Sequence, residues 1–403
     1  MQYPVAGSFL LLAALIAALA VLPGVMSAQD PGPATGAEGA YLPLTNGTAA
    51  APSPLATLPP GVTLPAIADD HRTGTISRTY FFAFGTENVT LVSNVSSAAY
   101  HGAKKGDKFA VAPPGIAIES LIPDYFRAFI DDPHQDRFFQ DLLAGFRSIR
   151  DQGHYSDDEY LELMTVFVQD IPYDTDAGIH PDNPARFPVE IFVEGTGDCD
   201  DKSLLLAGLL SREGYDVALL FFAPEHHMAI GVRNASHPFR NTGYMYVETT
   251  HLSLVGEVPE NLNLSQKYKE TEEPVFITVL NSTPVVIPVG SGTRQYTGAG
   301  ETGYILSQKQ VSDEKILSLR QQVNGTLENT TANQTLVADY NRYAEIHNYI
   351  VRHRYDRAGT YRYLRSLEPA PATPRPVVTA AACPWPGFAW NFSGSRIIPG
   401  LCS

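Results

Sequence analysis

Two runs in the first third of the chain, "TISRTYFFAF" and "VTLVSNVSSAAY", are built from Thr, Val and aromatic residues around "GTEN". That pattern predicts a β-hairpin. The period then lengthens. "DRFFQDLLAGFRSIR" reads as helix. "SDDEYLELMTVFVQDI" opens on Ser156 and Glu159 at capping-box spacing, and its Tyr160, Leu163, Met164 and Phe167 recur at helical period. A third helix is expected over about 199–213. Asp198 suits its N-cap, Asp201 stands three residues on, and Gly214 follows its end. Leu204, Leu205, Leu206, Leu209 and Leu210 wrap most of this helix, so it must be buried on nearly all sides. Three strands are expected next, "DVALLFF" (216–222), "HMAIGVR" (227–233) and "GYMYVETT" (243–250). Near the C-terminus, one stripe of Ile316, Leu319 and Val323 and another of Leu336, Tyr340, Tyr343, His347 and Ile350 predict a helical hairpin.

The flanks of this pattern differ in kind. Residues 1–28 hold about twenty apolar residues in succession, which reads as a signal peptide or a membrane anchor. Residues 29–70 are rich in Pro, Ala and Thr and read as a disordered stalk. A β-rich flank over 71–115, a central domain over 116–290, a Gly-rich connector over 291–311, the helical hairpin over 312–366 and a Pro-rich tail over 367–403 complete the division. Ten of the fifteen asparagines open an N-x-[ST] sequon: Asn46, Asn88, Asn94, Asn234, Asn263, Asn281, Asn324, Asn329, Asn333 and Asn391. This bias fits an exported glycoprotein. Of the three cysteines, Cys383 and Cys402 lie in the tail and are expected to pair outside the cell, leaving Cys199 free. The net charge of −15 with no basic stripe argues against nucleic acid as a partner.

The chemistry centres on "EGTGDCDDKS" (194–203). Cys199 falls in the first turn of the buried helix, where free N–H groups and the helix dipole favour a thiolate. Asp198, Asp200 and Asp201 oppose this, so a reactive Cys199 needs a cationic partner. An antiparallel pairing of the second and third strands puts His227 opposite Glu248, and a carboxylate beside an imidazole fixes its tautomer and stabilises the imidazolium. Cys199, His227 and Glu248 thus stand as nucleophile, base and orienting group. The Cys199 N–H, with Gln169 or Tyr173 from "QDIPYD", could stabilise an oxyanion. His226 and His227 have no second pair of ligands at metal-site spacing, so neither a metal nor another cofactor is expected.

"GTGDCDDKSLLLAGLLSREGYDVALLFF", "HHMAIGV" and "YVETT" together resemble the transglutaminase-like branch of the papain-like cysteine enzymes, as found in exported archaeal surface proteins. The resemblance covers roughly residues 155–255. It implies an α+β fold in which a buried helix packs on an antiparallel sheet. It gives Cys199 the role of nucleophile and His227 that of base, with Glu248 where the family places Asp. The implied activity is acyl transfer, or amide or peptide hydrolysis, through a Cys199 thioester. The substrate would be a peptide, a protein or a cell-surface polymer. A catalytically silent surface glycoprotein that keeps the fold for binding or architecture is the alternative.

Overall fold

The structure is a computed structural model that describes residues 58–174, 184–259, 261–263, 276–278, 280–325 and 331–368. The chain divides into two compact units, Met1–Arg365 and Ser366–Ser403. The first unit is mixed α and β with antiparallel sheets. Among the described residues no helix is long and apolar enough to cross a membrane. The N-terminal apolar run, Asn46, and the tail cysteines Cys383 and Cys402 with their expected bridge lie outside the described residues.

The predicted hairpin is present as β1 (Thr75–Phe84) and β2 (Glu87–Ser96), in register from Thr75↔Ser96 to Phe84↔Glu87. Its period of two is complete. Val89, Leu91, Ser93 and Val95 are buried, and Asn88, Thr90, Val92 and Asn94 face out. The second strand ends at Ser96, earlier than the pattern suggested, because α1 (Ser97–Lys105) takes over there. The flank over 71–115 is therefore only partly β. The folded chain also begins before His71. Thr63 bridges Val111 and Ala66 bridges Asp107, while Ile67 is buried and donates its N–H to Asp132 Oδ2 at 2.8 Å. Residues 62–68 therefore belong to the domain rather than to a stalk.

Next come α2 (Ile122–Asp131), α3 (Asp136–Gly153), α4 (Asp157–Asp170), α5 (Pro188–Glu194) and α6 (Cys199–Arg212). The Ser156–Glu159 capping box at the start of α4 is formed in both directions. The strands that follow are β3 (Val217–Phe222), β4 (His227–Arg233), β5 (Tyr244–Val247), β6 (Asn261–Asn263), β7 (Phe276–Thr278) and β8 (Val285–Pro288). Four of them make an antiparallel sheet in the order β5-β4-β3-β8. Leu204 to Leu210 of α6 are buried throughout in one core with Phe129, Phe139, Tyr160, Phe167, Phe187 and the inward residues of β3 and β4. Enclosure between helices and sheet is why this helix is apolar all round.

The C-terminal helices are α7 (Ala299–Gly325), α8 (Thr331–Arg352) and α9 (Arg357–Ser366). The helical hairpin is present but starts thirteen residues earlier than its predicted 312, inside the expected Gly-rich connector. Gly300 and Gly303 lie in open space in the first turns of α7, so their lack of a side chain costs helix propensity without breaking the helix. Leu254, Ile305, Ile346, Ile350 and Leu364 form a separate small core that ties the segment after β5 to all three helices.

Candidate functional site

Short-range chemistry shapes the turn that carries Cys199. Gly195 closes α5 with φ of +72°, a left-handed conformation that suits glycine. Gly197 then runs alongside Tyr173. It donates to Pro172 O at 3.2 Å and accepts from Asp174 N at 3.0 Å. A Cβ on Gly197 would press on Ile191, Asp201 and Lys202. Asp198 caps α6 in the predicted box with Asp201, with hydrogen bonds of 3.3 and 3.4 Å in the two directions. This fixes Cys199 as the first helical residue, 7% exposed.

The His227 imidazole arrives from the other side. The turn before β4 holds His226 at φ of +48°, uncommon for a residue with a side chain, and brings its carbonyl to 3.7 Å from Cys199 Sγ. Glu225 anchors this turn. Its Oε1 accepts from Asn281 N at 2.9 Å and Ser282 N at 2.8 Å, and its Oε2 accepts from Ser282 Oγ. His227, the first residue of β4, is buried beside Cys199, which is among the groups that raise its imidazole pKa.

The strand pairing differs from the expected one by two residues. Ile230 faces Val247 and Gly231 faces Tyr246, so continuing the ladder aligns Glu248 with Ala229 rather than His227. A slip of two keeps every side chain on its face, and the longer Glu side chain spans the offset. His227 Nε2 lies 3.3 Å from Glu248 Oε2. Glu248 is fully buried and saturated. Its Oε1 accepts from Thr249 N (2.9 Å), Thr250 N (2.8 Å) and Thr250 Oγ1 (2.7 Å), and its Oε2 accepts from Tyr246 Oη (2.5 Å). Burial alone would raise the Glu248 carboxyl, but the His227 charge and these donors hold it well below the usual carboxylate range. Burial alone would lower the His227 imidazole, but Glu248 and Cys199 push it up to about 10. Nε2 is engaged by Glu248 and by Tyr246 Oη at 3.2 Å.

Of the two predicted oxyanion donors, Gln169 is excluded. Its amide nitrogen donates to Glu248 O at 2.8 Å and Ser253 O at 3.1 Å, and its Oε1 accepts from Ser253 N at 3.3 Å. Gln169 instead fastens the backbone that follows β5. Tyr173 is beside the site. Burial, then the proximity of Cys199 and Asp198, pushes its phenol far up, so it keeps its proton and can donate. The acids at the start of α6 are absorbed locally. Asp198, Asp200 and Asp201 present oxygens within 4.8 Å of one another, a grouping that could hold a cation. Asp198 and Asp201 are engaged by the capping box, and Asp201 also by Arg186. Arg186 meets Asp201 at 2.7 Å and also pairs with Asp174 and Glu194 at 3.0 Å each.

Three contributors escape the sequence reading. Tyr246 is one, although it lies on β5 only two residues before Glu248, which follows the strand directly. Lys202 is fully buried, with Nζ 2.6 Å from Ile171 O and 3.3 Å from Gln169 O. Burial lowers its pKa to about 8. Ser203 donates to Met228 O at 3.2 Å and lies 3.1 Å from Thr249 Oγ1, joining the helix of Cys199 to the strands of His227 and Glu248.

The sequons divide by environment. Asn88, Asn94 and Asn281 are exposed. Asn234 is buried, its Nδ2 donating to Tyr296 O at 3.0 Å and its Oδ1 accepting from Ser236 and His237 N–H, so it is a structural turn residue and not a glycan acceptor. Asn263 and Asn324 lie in described backbone, as does Asn333, but their side chains fall outside the described residues; Asn329 and Asn391 lie outside altogether.

No family model, curated protein or solved structure matches the chain.

Proposed function

We propose that the protein is a transglutaminase-like cysteine enzyme of papain-like architecture that transfers acyl groups through a thioester on Cys199. One observation carries the reading: a buried helix presents Cys199 from its first turn to an imidazole that is itself hydrogen-bonded to a buried, ionised carboxylate. Cys, His and carboxylate arriving in this order from a helix, a strand and the end of the adjacent strand matches the order that the sequence resemblance implies. The Cys199 thiolate attacks an amide carbonyl and forms the C–S bond. Imidazolium His227 gives its proton to the departing amine as the C–N bond breaks, leaving a thioester and neutral imidazole. Water or a second amine then attacks the thioester, His227 takes the acceptor's proton, the C–S bond breaks, and the Cys199 thiolate is released beside imidazolium His227. In this reading the Cys199 N–H and the Tyr173 hydroxyl, which keeps its proton, would donate to the tetrahedral oxyanion.

The test is incubation with glutamine-containing peptides, with and without a biotinylated primary amine, read by intact mass and by peptide mass. An acyl adduct on Cys199, lost in Cys199→Ala, supports the proposal. Biotin incorporation against release of free acid separates transamidation from hydrolysis. A second reading is favoured by burial, since Cys199, His227 and Glu248 are each less than a tenth exposed. On that reading the fold serves binding or architecture, and neither adduct nor product forms.

A further inference from the structure

We propose that Asn88 carries an N-linked glycan whose first sugar packs on Phe81, covering the outer face of the β1–β2 hairpin. The proposal does not depend on the chemistry assigned to Cys199. It starts from an anomaly of burial. Phe81 is 73% exposed and Val92 54% exposed. They are diagonal neighbours on a strand face, because Phe81 pairs with Thr90 and Thr79 with Val92. A Phe at the centre of an open two-stranded face is an aggregation hazard unless something covers it.

The same register supplies the cover. Sequon Asn88-Val89-Thr90 runs along β2, with Thr90 directly opposite Phe81 and Asn88 opposite Ala83. Asn88 and Phe81 are thus diagonal neighbours on one face, with Cβ atoms roughly 7 Å apart in such pairs. That is the reach of a sugar ring on an asparagine amide. A pyranose presents a face of polarised C–H bonds, and the negative face of the Phe81 ring attracts them. A second sequon, Asn94-Val95-Ser96, opens on the same face, with Asn94 opposite Ser77. Asn88 and Asn94 stand about 20 Å apart along the strand, bracketing the apolar pair. Glycans at both ends would bar a protein partner from this strip, which favours carbohydrate over protein as the occupant. The contrast with Asn234 supports selectivity, since that sequon is buried and spent in backbone hydrogen bonds. In the attachment step the Asn88 amide nitrogen displaces the phosphate from the anomeric carbon of a lipid-linked oligosaccharide. One C–N bond forms, one C–O bond breaks, a proton leaves the amide, and nothing is oxidised.

The test uses the full chain secreted from an N-glycosylating host. Glycopeptide mass spectrometry should find Asn88 occupied and Asn234 bare. Phe81→Ser should lower the melting midpoint of the glycosylated protein by several degrees and should leave it unchanged or raised in an Asn88→Gln background. Phe81→Leu provides a second reading. Proton resonances of the first sugar should be displaced upfield by the ring in wild type and return to ordinary positions in this variant. An unmodified Asn88 overturns the proposal, as does an equal effect of Phe81→Ser in both backgrounds. Sugar resonances identical in wild type and Phe81→Leu also overturn it. A concentration-dependent dimer abolished by Phe81→Ser would assign the face to self-association instead.

Discussion

At the scale of residues, the site is organised around a carboxylate with no unused acceptor. Glu248 Oε2 is shared by Tyr246 and His227, and its Oε1 is held by Thr249 and Thr250. Hydrogen bonds to a charged acceptor contribute roughly 1.5–3 kcal/mol each, so the carboxylate is firmly fixed in place. The expected order of damage follows from contact. At pH 6, His227→Ala should slow alkylation of Cys199 by roughly a hundredfold, the difference between an ion-paired thiolate and a free thiol titrating near 8.5. Glu248→Gln should give an intermediate loss and Tyr246→Phe a smaller one. His226→Asn should have little effect, because it is the His226 main-chain carbonyl that meets the sulfur and Asn tolerates the left-handed conformation. Alkylation rates against pH for these variants check the series; identical curves would remove His227 from the mechanism. That Cys199 opens a buried helix was legible from its capping residues, and that His227 and Glu248 share a face was legible from strand parity. Tyr246 obeys the same period and was readable in principle. Gln169 was misassigned because its use depends on the path of the chain after β5, to which local pattern is blind.

Elements are held together here by buried polar side chains rather than by strand pairing alone. Lys202, one turn beyond Cys199, donates to the carbonyls at the C-terminal end of α4, where a cation also meets the negative end of the helix dipole. Gln169 on that same turn secures the loop after β5, and Ser203 ties α6 to Met228 and Thr249. The expected strand register was two residues off because loop length alone does not set where a ladder begins, whereas burial of one face does set its parity. His227 and Lys202 pull the pH dependence of stability in opposite directions. The His227 imidazole is raised from about 6.5 when unfolded to about 10. Its stabilisation is fully present below the first value and is lost as pH rises through the second. Lys202 is lowered from about 10.4 when unfolded to about 8. Its penalty is present below pH 8 and is relieved as pH rises from there. Lys202→Met removes that relief, so its melting temperature should fall more steeply than wild type between pH 8 and 10. Thermal melts across this range test the claim, and parallel profiles would refute it.

For the whole molecule, composition places the start of the fold too late. The Pro- and Ala-rich chain before His71 reads as spacer, and a period-based reading finds no element in it because a few residues suffice to make its contacts. Thr63 and Ala66 pair with Val111 and Asp107, and Ile67 is 4% exposed in the main core with its N–H on Asp132. Asp132 is itself buried, and its other oxygen accepts from His134 N at 2.9 Å. Gly102 and Gly106 of the adjoining segment approach Ala68 O and Ala66 O so closely that a Cβ on either would collide with main chain. The contact is therefore backbone to backbone, a kind that hydrophobic pattern does not register. Truncation separates the two boundaries. A chain starting at Leu58 keeps all these contacts and should melt with the full chain. A chain starting at His71 loses the burial of Ile67, worth roughly 1.5–3 kcal/mol. It also leaves the buried Asp132 short of a donor, at a cost of roughly 1–3 kcal/mol. It should unfold at distinctly lower denaturant, with Asp132→Ala partly restoring it and destabilising the Leu58 chain instead. Equal midpoints for the two truncations would return residues 58–70 to the stalk. A loss confined to the His71 chain would make this segment part of the domain that carries α2, α5 and the helix of Cys199.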